Sequence, residues 1–224
     1  MKSKVMMELK DIELLLDDPN PQFRMKAIVE LRNYPPEIVV PLLKRRMHDK
    51  EFMIRSFVAI GLGRKLTHEG FTLLLDMIKH EQDSNVIAEA ANSLVEFGPD
   101  AIPYIVQLFE QTSHWLVKLS ILAAVNGADY PDVFVNLCRL GYEDDDLSVK
   151  RAALSHLEQL RGTAQAPEAL NILLQAAVDA NMEARAQAAR TLSHFDDPQA
   201  AAALVELQHD ADYRVVGASL ERLL

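Results

Sequence analysis

The chain has 224 residues, 49% hydrophobic and 25% charged, a balance that supplies a core, while abundant Ala and Leu, scarce aromatics and no sustained apolar–polar alternation argue for helices and against a sheet. The formal net charge is -10, and residues 113–224 alone carry 9 basic and 16 acidic groups, a field that repels phosphate backbones, so nucleic acid is not an expected partner. A single cysteine, Cys138, rules out an internal disulfide, and no apolar run approaches the ~20 residues of a membrane span, so a cytoplasmic protein without membrane insertion is expected.

Along the chain, seven apolar helices alternate with seven copies of one phrase: a basic residue, then apolar or small residues three, four and seven positions on. A first helix is predicted over Glu8–Leu16, followed by Arg24 with Ala27, Ile28 and Leu31. Pro36–Met47 leads to Arg55, Val58, Ala59 and Leu62. Glu69–Lys79 leads to Ile87, which takes the basic slot ahead of Ala90, Ala91 and Leu94. Pro99–Glu110 precedes Lys118, Ile121, Leu122 and Val125. Pro131–Leu140 precedes Lys150, Ala153, Leu154 and Leu157, and Pro167–Val178 precedes Arg185, Ala188, Ala189 and Leu192. Pro198–Gln208 precedes Arg214, Gly217 and Ala218, where the register slips and Leu220 arrives one place early.

The anchors fall 29 to 35 residues apart, a period that suits two helices with tight turns. The +3, +4, +7 spacing puts the apolar residues on one helical face. Five leading helices carry Pro at or near their first residue, where its missing N–H has no intrahelical partner anyway. Asp197 is a candidate cap ahead of Pro198. Pro41 and Pro103 lie about one turn inside their helices and predict a kink or a late start. The units run over approximately 8–33, 36–65, 68–97, 99–126, 131–161, 167–194 and 197–224. A single unit cannot hide its apolar face, but stacked units share a continuous core.

The phrases DPNPQFRMKAIVEL, DDLSVKRAALSHL and DANMEARAQAARTL resemble HEAT repeats, in particular the short HEAT-like repeats of the phycobilisome lyase (PBS lyase) type. The resemblance covers nearly the whole chain. It implies an all-α fold, an α-solenoid (right-handed superhelix) of about seven HEAT-like helical hairpins in a single domain over 1–224, with the second helices on the concave face. It also implies a ladder in which an inner-turn Asp and an Arg six residues on link neighbouring units. Asp18/Arg24, Asp49/Arg55, Asp144/Lys150 and Asp179/Arg185 have that spacing. The carboxylate is expected to accept from free N–H groups at the start of the second helix, and the cation to pair with a neighbouring carboxylate. These eight residues are read as structural. The ladder is expected to fail in the middle, where Glu81 is followed by Ile87 and Thr112 by Lys118.

Motifs that carry chemistry are missing from the sequence. The seven His residues stand singly, with no HExxH pair, and are assigned to solvent or turns. There is no GxSxG, P-loop or GxGxxG. Cys138 sits in the apolar run Val133–Leu140 and reads as a buried, inert thiol. Glu143–Asp146 reads as a charge cluster at a helix N-terminus, lacking the Gly and distal Glu of a calcium loop. Lys44, Arg45 and Arg46 read as a solvated helix end, as do Arg64 and Lys65, and Gly61 and Gly63 as the loosened C-terminal end of a helix.

The leading expectation is therefore a non-catalytic scaffold or adaptor that binds another protein on its second helices. The candidate contact residues are Asn85, Glu89, Asn92, His114, Trp115, Lys118 and Arg151, which are polar or aromatic and near the anomalous central units. For Trp115 two readings are open, a binding anchor or a side chain buried between repeats. No catalytic, metal or cofactor residue is assigned. The resemblance offers an alternative: a phycobilin lyase subunit or phycobilisome-turnover factor, with phycocyanobilin as transient ligand and a phycobiliprotein or a second HEAT-repeat subunit as partner. The ending on Leu223 and Leu224 adds the expectation of oligomerisation through the C-terminal helix.

Overall fold

The computed structural model describes residues 7–221. Among these there are fourteen α-helices, short 3-10 turns and no strand. The first helices of the hairpins are α1 (Leu9–Leu16), α3 (Pro36–Lys44), α5 (His68–His80), α7 (Ile102–Gln111), α9 (Pro131–Tyr142), α11 (Ala166–Ala176) and α13 (Pro198–Leu207). The second helices are α2 (Pro21–Glu30), α4 (Phe52–Gly63), α6 (Ser84–Val95), α8 (Trp115–Ala124), α10 (Leu147–His156), α12 (Met182–Leu192) and α14 (Tyr213–Leu220). Leu223 and Leu224, on which the expected C-terminal interface rests, lie outside the described residues.

The chain divides into two compact units, one ending at Leu108 and the other starting at Phe109, a boundary inside α7. In the first unit α2, α4 and α6 pack side by side in order, each backed by its own first helix. In the second unit α8, α10, α12 and α14 also pack side by side in order, with α10, α12 and α14 backed by α9, α11 and α13. Each unit is thus two layers of helices around a core that runs from hairpin to hairpin.

The repeated phrase supplies that core. Every residue at +3, +4 and +7 in the first six copies is buried, from Ala27, Ile28 and Leu31 to Ala188, Ala189 and Leu192. In the seventh copy Ala218 is buried and Gly217 is exposed. The prolines behave as position dictates. Pro36, Pro131, Pro167 and Pro198 start helices. Pro99 falls in the 3-10 turn Gly98–Asp100, which delays α7 to Ile102 and leaves Pro103 at its second position, the late start expected. Pro41 stays inside α3, which ends three residues later at Lys44.

Gly61 and Gly63 lie in the last turn of α4, which ends at Gly63, as expected. They let neighbours approach. A Cβ on Gly63 would lie 2.6 Å from Ser93 Cβ and 3.0 Å from the Ser93 backbone on α6, and one on Gly61 would lie 2.7 Å from Leu43 Cδ1. The chain reverses at Leu66, a non-glycine residue at φ 47°. Of the basic ends, Lys44, Arg45 and Arg64 are exposed as expected, and Arg46 and Lys65 are half-buried. Lys65 Nζ donates to the carbonyls of Arg32 (3.0 Å) and Tyr34 (2.6 Å) at the end of the preceding hairpin. Arg45 pairs with Asp17 at 2.6 Å, Arg46 also reaches Asp17, and Lys44 reaches Glu69 at 3.0 Å.

Candidate functional site

The turns into the second helices repeat a local device. Asp18 Oδ1 accepts from the N–H of Asn20 (2.8 Å), and Asn20 Oδ1 accepts from the N–H of Gln22 (2.9 Å). The same tandem recurs as Asp144 with Asp146, Asp179 with Asn181 and Asp210 with Asp212. Glu81 takes the first place ahead of Asp83, and a neutral version pairs Thr112 with His114, whose Nδ1 accepts from the N–H of Leu116 at 3.3 Å. The inner-turn carboxylate therefore holds the capping residue, not the helix itself. The residue two places on satisfies the free N–H of the first turn.

With one oxygen so fixed, each inner-turn carboxylate can meet the cation of the preceding unit. Arg24 donates to Asp49 at 2.8 Å and, through its other terminal nitrogen, to the carbonyls of Asp18 (2.9 Å) and Pro19 (3.0 Å). Arg55 grips both oxygens of Glu81 at 2.6 and 3.0 Å, and Arg185 both oxygens of Asp210 at 2.7 and 3.0 Å. Lys118 pairs with Asp144. Lys150 is diverted: its ammonium goes to the Tyr142 carbonyl and lies 4.7 Å from the centre of the Tyr142 ring, and the Tyr142 hydroxyl donates to Asp179 at 2.9 Å. Burial, then that carboxylate, push the Tyr142 phenol up to about 12.

Two expectations are corrected here. Glu81 and Lys118, placed where the ladder was to fail, are both working rungs. The expected break holds at Ile87, which brings no cation, and Thr112, which brings no carboxylate, and the diverted Lys150 leaves Asp179 to the Tyr142 hydroxyl in place of an ion pair. Electrostatics follow the geometry. Burial pushes the Asp49 carboxyl up, but the Arg24 hydrogen bond, the Glu51 N–H and the charges of Arg24 and Arg46 outweigh it and hold the group below the usual carboxylate range. Glu81 is lowered the same way against its burial, and Asp210 first of all by its hydrogen bond from Arg185.

The candidate contact residues sit as follows. In the first unit Asn85, Glu89 and Asn92 share one face of α6. Asn85 is exposed and donates to Asp83 through both its N–H and its amide (2.9 and 3.0 Å); Glu89 and Asn92 are half-buried, and Asn92 Oδ1 is buried without a protein donor. In the second unit His114 and Trp115 open α8. Their rings stack at 6.0 Å and 22°, and Trp115 is 46% exposed, so it is not buried between repeats. Lys118 is committed to Asp144 and sits 5.4 Å from the centre of the Phe109 ring. Arg151, on the neighbouring α10, is exposed and 3.5 Å from Glu183. The structure thus brings together His114, Trp115 and Lys118 on one helix, and Asn85, Glu89 and Asn92 on another.

Sequence reasoning missed the other apolar side chains left exposed at the starts of second helices, Phe23, Phe52, Met53 and Tyr213. Their signal was an apolar residue in the first turn after each cap.

The matches to known proteins agree with this geometry. The family description for HEAT repeats matches residues 10–95 and 140–224. The chain belongs to the HEAT-repeat family. No curated protein matches its sequence. Its HEAT fold is similar to that of YibA from Escherichia coli, with a TM-score of 0.62 and 20% identity over 96% of this chain and 82% of that one. It is similar also to the complex of CpcE and CpcF of phycocyanin lyase from Nostoc sp. PCC7120, at 0.54 and 18% over 97% and 95%. An engineered protein follows at 0.51 and 18% over 97% and 68%.

Among the described residues of this HEAT protein no cluster of His, Cys, Asp or Glu has the geometry of a metal site, and no helix is long and apolar enough to cross a membrane. Cys138 is fully buried, and burial pushes its thiol far up. Six of the seven His are exposed; His156 is half-buried against Phe134, and burial lowers it.

Proposed function

We propose that this HEAT protein is a non-catalytic scaffold or adaptor that holds a protein partner on its second helices. In the second unit the contact surface is His114, Trp115, Lys118 and Arg151; in the first it is Asn85, Glu89 and Asn92. The observation that carries the reading is Trp115, the only Trp of the chain, left 46% exposed at the first turn of α8, where the repeat core does not use it. Trp is among the residue types enriched at interface hot spots. Lys118 supports the surface by fixing α8 to the turn before α10 through Asp144. The cytoplasm, where a lone buried thiol stays reduced, is the proposed location.

Affinity capture from the native lysate with the full chain tests this. Trp115→Ala should leave the far-UV circular dichroism unchanged and weaken capture of the partner by roughly 30-fold, the size of a hot-spot loss. Lys118 is a poor test residue, because changing it breaks a rung. Undiminished capture by Trp115→Ala rejects the placement.

A second reading is a phycobilin lyase subunit or phycobilisome-turnover factor that binds a bilin or phycobiliprotein, alone or with a second HEAT subunit. It is supported by the likeness to a chain of the CpcE–CpcF complex, over 97% of this chain and 95% of that one. Mixing the protein with phycocyanobilin tests it: this reading expects a shift of the bilin absorption, and an unshifted spectrum rejects it.

A further inference from the structure

In the second unit α8, α10, α12 and α14 lie side by side in that order. The residue just after the cap of each is apolar: Trp115 after His114, Leu147 after Asp146, Met182 after Asn181 and Tyr213 after Asp212. Trp115 is 46% and Tyr213 81% exposed, and Leu147 and Met182 are half-buried. The fold does not require apolar side chains there. Its core is filled from the +3, +4 and +7 positions, and a first helical turn accepts polar residues, as Ser84 of α6 shows. Four equivalent positions on four neighbouring helices therefore make an apolar row that, among the described residues, is open at Trp115 and Tyr213 and partly covered at Leu147 and Met182.

The row lies in a negative field. Glu143 and Asp145, in the turn before Leu147, are exposed and have no ion pair among the described residues. The cations nearby are paired with carboxylates: Lys118 with Asp144 and Arg185 with Asp210 in half-buried pairs, and Arg151 with Glu183 and Arg214 with Asp212 at the surface. Spacing adds a second constraint. Packed helices stand roughly 8–10 Å apart, and a polyproline-II chain advances about 9 Å in each three-residue turn. A helical ligand, whose anchors recur at three and four residues, rises only about 5 Å per turn.

Resting on the scaffold reading, we infer that the Trp115–Leu147–Met182–Tyr213 row is a docking track for an extended basic segment of the partner protein. That segment has an apolar side chain at every third residue and Lys or Arg between. Ten residues span the four helices, one side chain per repeat, with the intervening cations facing Glu143 and Asp145.

The test uses the full chain and its own single Trp as reporter. A ten-residue peptide with Leu at every third position and Lys or Arg elsewhere should shift Trp115 emission to the blue, saturably and more weakly at higher salt. Replacing its cations by Glu, or moving its Leu residues to helical i, i+4 spacing, should weaken binding at least ten-fold. A protein with Glu143→Lys and Asp145→Lys should also lose at least ten-fold, with unchanged circular dichroism. Equal binding of the acidic or helically spaced peptide overturns the inference. So does no binding of any peptide, provided partner capture still depends on Trp115. If capture is indifferent to Trp115, it is the scaffold reading that has failed.

Discussion

Removing the Asp49 carboxylate is the sharpest probe of what holds the hairpins in register. The Arg24–Asp49 pair is closed to water, its side chains 4% and 3% exposed, and Asp49 also accepts the Glu51 N–H. Asp49→Ala leaves the Arg24 guanidinium buried and uncompensated, which costs about 3–5 kcal/mol. Against a total stability of roughly 5–15 kcal/mol, that is a large fraction. Asp49→Asn keeps an acceptor for both donors and loses only the charge, so it should cost about 1–2 kcal/mol. Glu69→Ala, which removes an exposed partner of Lys44 in the same unit, should cost under about 1 kcal/mol. Urea unfolding followed by circular dichroism reads the order, provided the slope with denaturant is shared by the variants. An Asp49→Ala protein no weaker than Glu69→Ala would refute the claim that the buried rungs carry the register.

The same groups set the response to acid. Folded Asp49, Glu81 and Asp210 are held below the ordinary 3.8 to 4.5, so they contribute stability above those values and lose it as pH falls through the lowered ones. His156, lowered by burial from 6.5, adds an earlier loss as pH drops below that value. Melting temperature against pH should therefore fall in two steps, the lower one smaller in Asp49→Asn; a flat profile from pH 7 to 3 contradicts this. Gly63→Ala drives a Cβ to 2.6 Å from Ser93 and should cost about 1–3 kcal/mol, whereas Gly217→Ala, with open space around it in α14, should stabilise by about 0.5–1 kcal/mol; thermal melts compare them. The Cys138 thiol, fully buried and pushed up, should resist a disulfide-exchange reagent in the native protein and react fully in denaturant.

Much of the fold was readable from the sequence because burial leaves a period. Ala27, Ile28 and Leu31 and their counterparts recur at +3, +4 and +7 because only that face is covered. What could not be read depends on which side chains meet across 25 or 26 residues. Glu81, with one more methylene than Asp, reaches Arg55 as well as any aspartate, and Lys150 is drawn off by the Tyr142 carbonyl and ring. The spacing of charges names the candidates but does not choose among them.

The glycines show a related limit. A Gly late in a helical pattern signals an end, and only the 2.6 Å approach of Ser93 shows that Gly63 also admits a close neighbour. For Trp115, anchor and buried wedge differ by a rotation of one helix, which periodicity leaves open at the first residue of α8. The caps hid in plain view: the D-x-N and D-x-D pairs of Asp18/Asn20, Asp144/Asp146 and Asp179/Asn181 announce both members of the tandem turn.

One measurement addresses the function most directly. A photo-crosslinking amino acid placed at position 115, and separately at Asn171 on the exposed side of α11, is irradiated with the partner recovered by capture. The scaffold account predicts a covalent adduct from position 115 and none from 171. Adducts at 171 alone, or at neither while the partner stays bound, would contradict it.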